Sequence, residues 1–188
     1  MNKIWYTLGV LFILTAITLS AGCISSQTET PTPVTAVPTM TPTPVPTPVE
    51  VLQNQVMTLT EEGNTLSISI TGKLFDSDAE NVLTEGSASN PTPEPGQYVI
   101  MLKIVETYIG GDEPAVNVAP YHFEIYVDGI GYPAVSAVLP DGYTTFPTDS
   151  ILKNATEEGW LAYIVPQGNA KLAYEYQEEP LGFIRINY

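Results

Sequence analysis

From about residue 57 onward, apolar and polar side chains change places every second residue, and that period leaves little choice of fold. Leu66, Ile68 and Ile70 alternate with Ser67 and Ser69. Tyr98, Ile100, Leu102 and Ile104 alternate with Met101, Lys103 and Val105. Tyr121, Phe123, Ile125 and Val127 alternate with His122, Glu124, Tyr126 and Asp128. Leu172, Tyr174 and Tyr176 repeat the pattern, as do Ile184, Ile186 and Tyr188. Successive side chains of a strand point to opposite faces, so such alternation marks antiparallel sheet with one buried face.

Turn-forming residues punctuate the runs: Glu62-Gly63-Asn64, Gly110-Gly111-Asp112, Asp128-Gly129, Asp141-Gly142, Gln167-Gly168-Asn169 and Pro180-Leu181-Gly182. Short strands at this spacing read as an all-β, antiparallel β-sandwich. No helical periodicity longer than two turns follows residue 57, and residues 149–158 (DSILKNATEE) are the best candidate for a short helical turn. Residues 76–96, rich in Ser, Pro, Glu and Asn, are too long for a hairpin and are expected to be a mobile loop. Trp160 opens the apolar run WLAYIV and is expected in core or edge packing.

The N-terminus has a different character. Lys3 precedes a charge-free apolar run, Ile4 to Leu19, and the small residues Ser20-Ala21-Gly22 lead to Cys23. This order is that of an export signal. Cys23 is the only cysteine of the chain, and its place after small residues resembles the lipobox of prokaryotic lipoproteins. The usual box has Leu three residues before the cysteine; here that position is Ser20 and Leu19 lies one place earlier. Residues 1–22 are therefore read as a signal peptide or membrane anchor, with Cys23 as the lipid attachment point. The alternative is a retained helix over 4–22, about 28 Å long at about 1.5 Å per residue. Both arrangements hold the chain at the outer face of a cell membrane. A lone cysteine forms no intrachain disulfide, so the outer domain must stand on a hydrophobic core.

Residues 24–50 carry Pro31, Pro33, Pro38, Pro42, Pro44, Pro46 and Pro48 among eight threonines. Proline removes backbone donors and fixes φ, so a polyproline-II-like spacer is expected, on the order of 80 Å if fully extended. The expected organisation is an anchor at 1–22, a disordered Thr/Pro-rich stalk at 23–56 and a β-sandwich at 57–188.

Chemistry-bearing residues are sparse. The formal net charge is -15, from 21 acids and 6 bases. A nucleic-acid binder needs a basic stripe, so that class is excluded. The single histidine, His122, shares the polar face of its run with Glu124, Tyr126 and Asp128 by alternation, and is expected at the surface. No nucleophile elbow or oxyanion-type glycine motif accompanies it, nor any phosphate loop. One histidine is too few for the usual zinc sets. Asp76, Asp78 and Glu80 alternate at the start of a loop and are a candidate Ca²⁺ site, since hard oxygens suit that ion. A solvated acidic turn is the competing reading. Asn154-Ala155-Thr156 is a glycosylation sequon, whereas Asn90-Pro91-Thr92 is blocked by its proline.

Four segments, in order, carry a resemblance. They are Gln97-Tyr98-Val99-Ile100-Met101-Leu102-Lys103-Ile104, then Pro120-Tyr121-His122-Phe123 leading to Asp128-Gly129-Ile130-Gly131-Tyr132, then Gly159 to Pro166, and Lys171-Leu172-Ala173-Tyr174. Together they resemble the immunoglobulin-like domain of telokin-like or DUF4352-like secreted proteins and lipoproteins, over about residues 57–188. The chain departs from that pattern at Glu106-Thr107, where an Asn is common, and in the length of 76–96. The resemblance implies an Ig-like sandwich, often on the cell exterior, with no known catalytic site. The expected function is therefore a membrane-anchored, non-catalytic binding or structural domain facing a cell-surface protein or envelope component. A Ca²⁺-dependent surface domain is the alternative.

Overall fold

A computed structural model describes residues 47–187, so Cys23, the apolar run before it and most of the Thr/Pro-rich segment lie outside the described residues. Eleven strands follow one another: β1 (Val49–Leu52), β2 (Met57–Glu61), β3 (Asn64–Phe75), β4 (Gln97–Gly110), β5 (Ala115–Val118), β6 (Phe123–Val127), β7 (Ile130–Pro133), β8 (Asp149–Leu152), β9 (Thr156–Pro166), β10 (Ala170–Tyr176) and β11 (Glu179–Arg185). Among the described residues one α-helix, α1 (Asp76–Gly86), and a single 3-10 turn at Pro120–His122 interrupt them. The first sheet has the order β1-β11-β10-β6-β7 and the second β2-β3-β4-β9, while β5 and β8 pair separately. The pairing is antiparallel throughout except where β1 runs parallel to β11. The two larger sheets pack as the expected β-sandwich.

Alternation builds the core. On β4, Tyr98, Ile100, Leu102, Ile104 and Tyr108 turn inward. They meet Leu66 and Ile68 of β3, Phe123 and Ile125 of β6, Leu161, Tyr163 and Val165 of β9, and Leu172 and Tyr174 of β10. Complete burial of each such aliphatic or aromatic side chain is worth about 1.5–3 kcal/mol.

The intervening residues of β4 are also apolar, and the structure covers them. Val99 and Met101 lie beneath Ala79, Val82 and Leu83 of α1 in a second core. The segment 134–146 completes that outer layer, bridging to β9 at Val135–Ala162 and Thr145–Trp160. A register shift between Ile70 and Gly72 lets β3 serve both cores. One extra residue reverses which face a side chain occupies. Ile70 accordingly packs against the inner core, and Leu74 against the outer one.

Several expectations are corrected here. The segment 76–96 is not a structureless loop, because its first half is α1. Val82 and Leu83 are two neighbouring apolar residues among polar ones, a signal too short to show helical period. Residues 149–158 are not a helical turn; they contain β8 and the start of β9. The expected stalk, 23–56, overlaps β1 at 49–52, which is paired in the first sheet. Its hydrogen bonds come from β11, at the other end of the chain, so no local signal marks it. The last hairpin turns at Gln177-Glu178, both with positive φ, and Gly182 lies within β11 instead of a turn.

Candidate functional site

β4 carries an acid at a core position. Glu106 occupies the same face as Ile104 and Tyr108 and is 0% exposed. Neither of its carboxyl oxygens has a hydrogen-bond partner. The nearest side-chain donor, the Tyr174 hydroxyl of β10, is turned away from it and donates to Glu61 Oε2 of β2 at 3.2 Å. That bond crosses from one sheet to the other. Phe123 packs on Tyr174 edge to face at 5.5 Å. His122 also packs on Tyr174, its ring centroid 5.5 Å from that of the phenol. Its Nδ1 is buried and without a partner.

The neighbouring polar cluster is fully satisfied by contrast. The Tyr108 hydroxyl donates to the Glu113 carbonyl at 2.5 Å. Asn64 Oδ1 lies 3.0 Å from that hydroxyl and accepts the Glu113 N–H at 3.1 Å. Two residues apart on one strand face, Tyr108 is matched by partners and Glu106 is not.

Burial sets the electrostatics. Desolvation first, and the nearby Glu61 charge second, push the Glu106 carboxyl up to about 8. Glu61 is also raised, by burial, against the Tyr174 hydrogen bond. Burial and the two carboxylates drive the Tyr174 phenol well above its ordinary range. Burial lowers His122. At neutral pH the cluster therefore holds a protonated Glu106, a phenol and an uncharged imidazole.

The outer layer holds a different feature. Where 134–139 crosses β9, Ala134, Val135, Ala137, Leu139, Trp160 and Ala162 line an apolar groove of about 240 Å³. Trp160 forms its floor, with Tyr143 against it at 5.2 Å, and its ring reaches across β4 to lie over Gly72. The volume falls below the roughly 300–1,000 Å³ of small-molecule pockets. It suits a single apolar side chain. Segment 134–146 carries Asp141 and no Lys or Arg, while Lys103 of β4, in register with Trp160, is paired with Glu158.

The residues singled out in the sequence are placed as follows. Asp76 and Asp78 stand in the first turn of α1, with Glu80 one turn on. Residues at i, i+2 and i+4 of a helix do not face one point. Among the described residues no three His, Cys, Asp or Glu side chains gather as metal ligands. Asn154 is exposed in the turn between β8 and β9, with positive φ. Trp160 packs in the outer layer as expected. Cys23 lies outside the described residues. His122 is not a surface strand residue: it sits in the 3-10 turn, half-buried, and Tyr121 is the exposed neighbour at 67%. The strand begins at Phe123, so alternation read back through Tyr121 gave both residues the wrong face. Glu106 entered the sequence reading only as a departure from the family pattern; counting even positions on from Ile104 would have placed it in the core.

No family model and no curated protein matches the chain. Solved structures share its fold. One is MPT63, a secreted protein of Mycobacterium tuberculosis, with 18% identity and a TM-score of 0.52 over 74% of this chain and 98% of that one. Another is the candidate lipoprotein ycdA of Bacillus subtilis, with 14% identity and a TM-score of 0.52 over 73% of this chain. This chain spans 39% of ycdA's length. These similarities establish the β-sandwich. Among the described residues no helix is long and apolar enough to cross a membrane.

Proposed function

We propose that the protein is a membrane-anchored, non-catalytic binding module of the cell exterior, lifted from the membrane by its Thr/Pro-rich segment. Anchoring follows from residue order: the apolar run Ile4–Leu19, small residues, Cys23, a proline-rich spacer, and β1 from Val49. The sandwich shared with a secreted protein and a candidate lipoprotein supports the same placement. The observation that carries binding is the apolar groove lined by Val135, Leu139 and Trp160, on a chain whose formal net charge is -15. Its fitting occupant is a protein surface that offers one protruding apolar side chain ringed by Lys or Arg. Opposite charge steers such a partner and fixes its register. The non-catalytic reading is supported by His122, whose buried Nδ1 has no orienting carboxylate.

Crosslinking on intact cells that carry the full-length protein, followed by mass spectrometry, tests the reading. A basic surface protein crosslinked to segment 134–146 is expected. Ser136→Arg, at an exposed groove position, should abolish the capture. Capture that survives Ser136→Arg, or that maps to another face, refutes the groove. Cys23→Ala should release the protein or leave its precursor uncleaved, and unchanged membrane retention with normal processing would refute lipid anchoring.

A further inference from the structure

Among the described residues Glu106 has no counter-charge. The chain has six bases, and Lys3 lies outside the described residues. Lys103 pairs with Glu158, and Lys171 and Arg185 pair with Glu50. Lys73 bonds Gln53 and the Asn187 carbonyl, and Lys153 lies against Gly110. The groups facing Glu106 are acidic or neutral on every side. β2 offers Glu61, with Glu62 acting on it. β10 offers Tyr174. β9 places Glu157 directly across the ladder, half-buried on the same face. β3 offers the apolar Ile68 in register. Tyr108 lies two residues along β4, bonded elsewhere. His122 packs against the Tyr174 ring, and α1 is on the opposite face of the sheet.

We propose that Glu61, Tyr174 and Glu106 form a proton-held latch between the two sheets, closed while Glu106 is protonated and loosened when that proton is lost. Tyr174 has one hydroxyl proton and gives it to Glu61, joining β10 to β2. Glu106 then needs its own proton, because an ionised carboxylate there would be a buried charge without a partner. Its ionisation beside Glu61 sets two like charges around one phenol. The strands that carry Glu61 and Tyr174 must separate, or admit water, to relieve the repulsion. A domain on the outside of a cell meets the external pH directly, and the latch makes its sandwich end responsive to it.

The sign follows from linkage. A carboxyl group raised in the folded state stabilises most below its unfolded value of 4.5 and loses that contribution as pH rises to about 8. His122 is lowered, so its opposing contribution is complete above 6.5. The window from about pH 6.5 to 8 therefore leaves His122 out of the response, and Glu106→Gln separates the latch from other raised carboxyls such as Glu124. The test is denaturant unfolding of the full-length protein in detergent across that window. The unfolding constant should rise with pH, approaching tenfold per unit, and Glu106→Gln should flatten the response. A flat wild-type profile, or an unchanged slope in Glu106→Gln, overturns the proposal. If the variant fails to fold, infrared spectroscopy of the wild type decides: a protonated-carboxyl band at about pH 6.5 that vanishes by about pH 9 is expected. Its absence at the lower pH overturns the latch. Amide exchange, corrected for its intrinsic pH dependence, should accelerate in β2 and β10 over the same range. Uniform acceleration across all strands would reduce the latch to a general loss of stability and overturn the localised opening.

Discussion

Asn90 and Val138 bind each other as two strands would. The Val138 N–H donates to Asn90 Oδ1 at 2.8 Å, and Asn90 Nδ2 donates to the Val138 carbonyl at 2.7 Å. The same Nδ2 also donates to the Leu83 carbonyl at 2.7 Å, at the C-terminal end of α1. One side chain thus ties the helix, the loop after it and the segment that borders the groove. Asn90→Ala removes both bonds to the exposed Val138 backbone and one of the two on the Leu83 carbonyl, which keeps Ser87 N–H, and should cost about 0.5–1.5 kcal/mol. Denaturant unfolding measures the loss, and amide exchange should show it concentrated in α1 and 134–139. Loss spread evenly over the sandwich would contradict a local tie.

Gly86 closes α1 against the same segment. A Cβ there would collide with the Val138 carbonyl oxygen, a backbone atom that cannot step aside as a flexible side chain would. Gly86→Ala should destabilise the domain by about 1–3 kcal/mol through overpacking. A variant as stable as the wild type would show that α1 slides freely on the sheet.

Gln177 and Glu178 both adopt left-handed backbone, with φ of 52° and 65°, in the hairpin between β10 and β11. Two-residue hairpins of this hand favour Asn-Gly. Replacing the pair by Asn-Gly should raise stability by about 0.5–2 kcal/mol, since each residue leaves a strained region. Thermal melting reads the change, and a lowered melting temperature would place the turn elsewhere.

His122 contributes to the loss of stability just below pH 6.5. Its folded-state value is depressed by burial, so its contribution is present above pH 6.5 and is lost as pH falls below that. His122→Phe, which keeps a ring beside Tyr174, should weaken the decline on acidification and leave the response above 6.5 unchanged. An identical acid limb in the variant would assign that limb to another group.

The helical placement of Asp76, Asp78 and Glu80 bears on calcium. Their side chains fan around the first turns of α1. Millimolar Ca²⁺ should leave the melting temperature where Mg²⁺ leaves it. A rise specific to Ca²⁺ would restore the site.

The sequence by itself determined the sheet, the inner core and the placing of two hairpins. Alternation at Leu66–Ile70, Tyr98–Ile104 and Leu172–Tyr174 can bury one face only as strands, and Glu62-Gly63 and Asp128-Gly129 supply the positive φ that tight turns need. These signals are local, so they survive without knowledge of the fold. Only the tertiary structure decided the rest. α1 is a helix because Ala79, Val82 and Leu83 find Val99 and Met101 beneath them, and an 11-residue helix has little stability alone. β1 is a strand because β11, more than a hundred residues away, offers its edge. The groove exists because 134–146 folds back over β9. The meeting of Glu61, Tyr174 and Glu106 was decided the same way. Their chemistry depends on solvent being excluded by two sheets, and burial of that kind is a property of packing that no single strand's sequence contains.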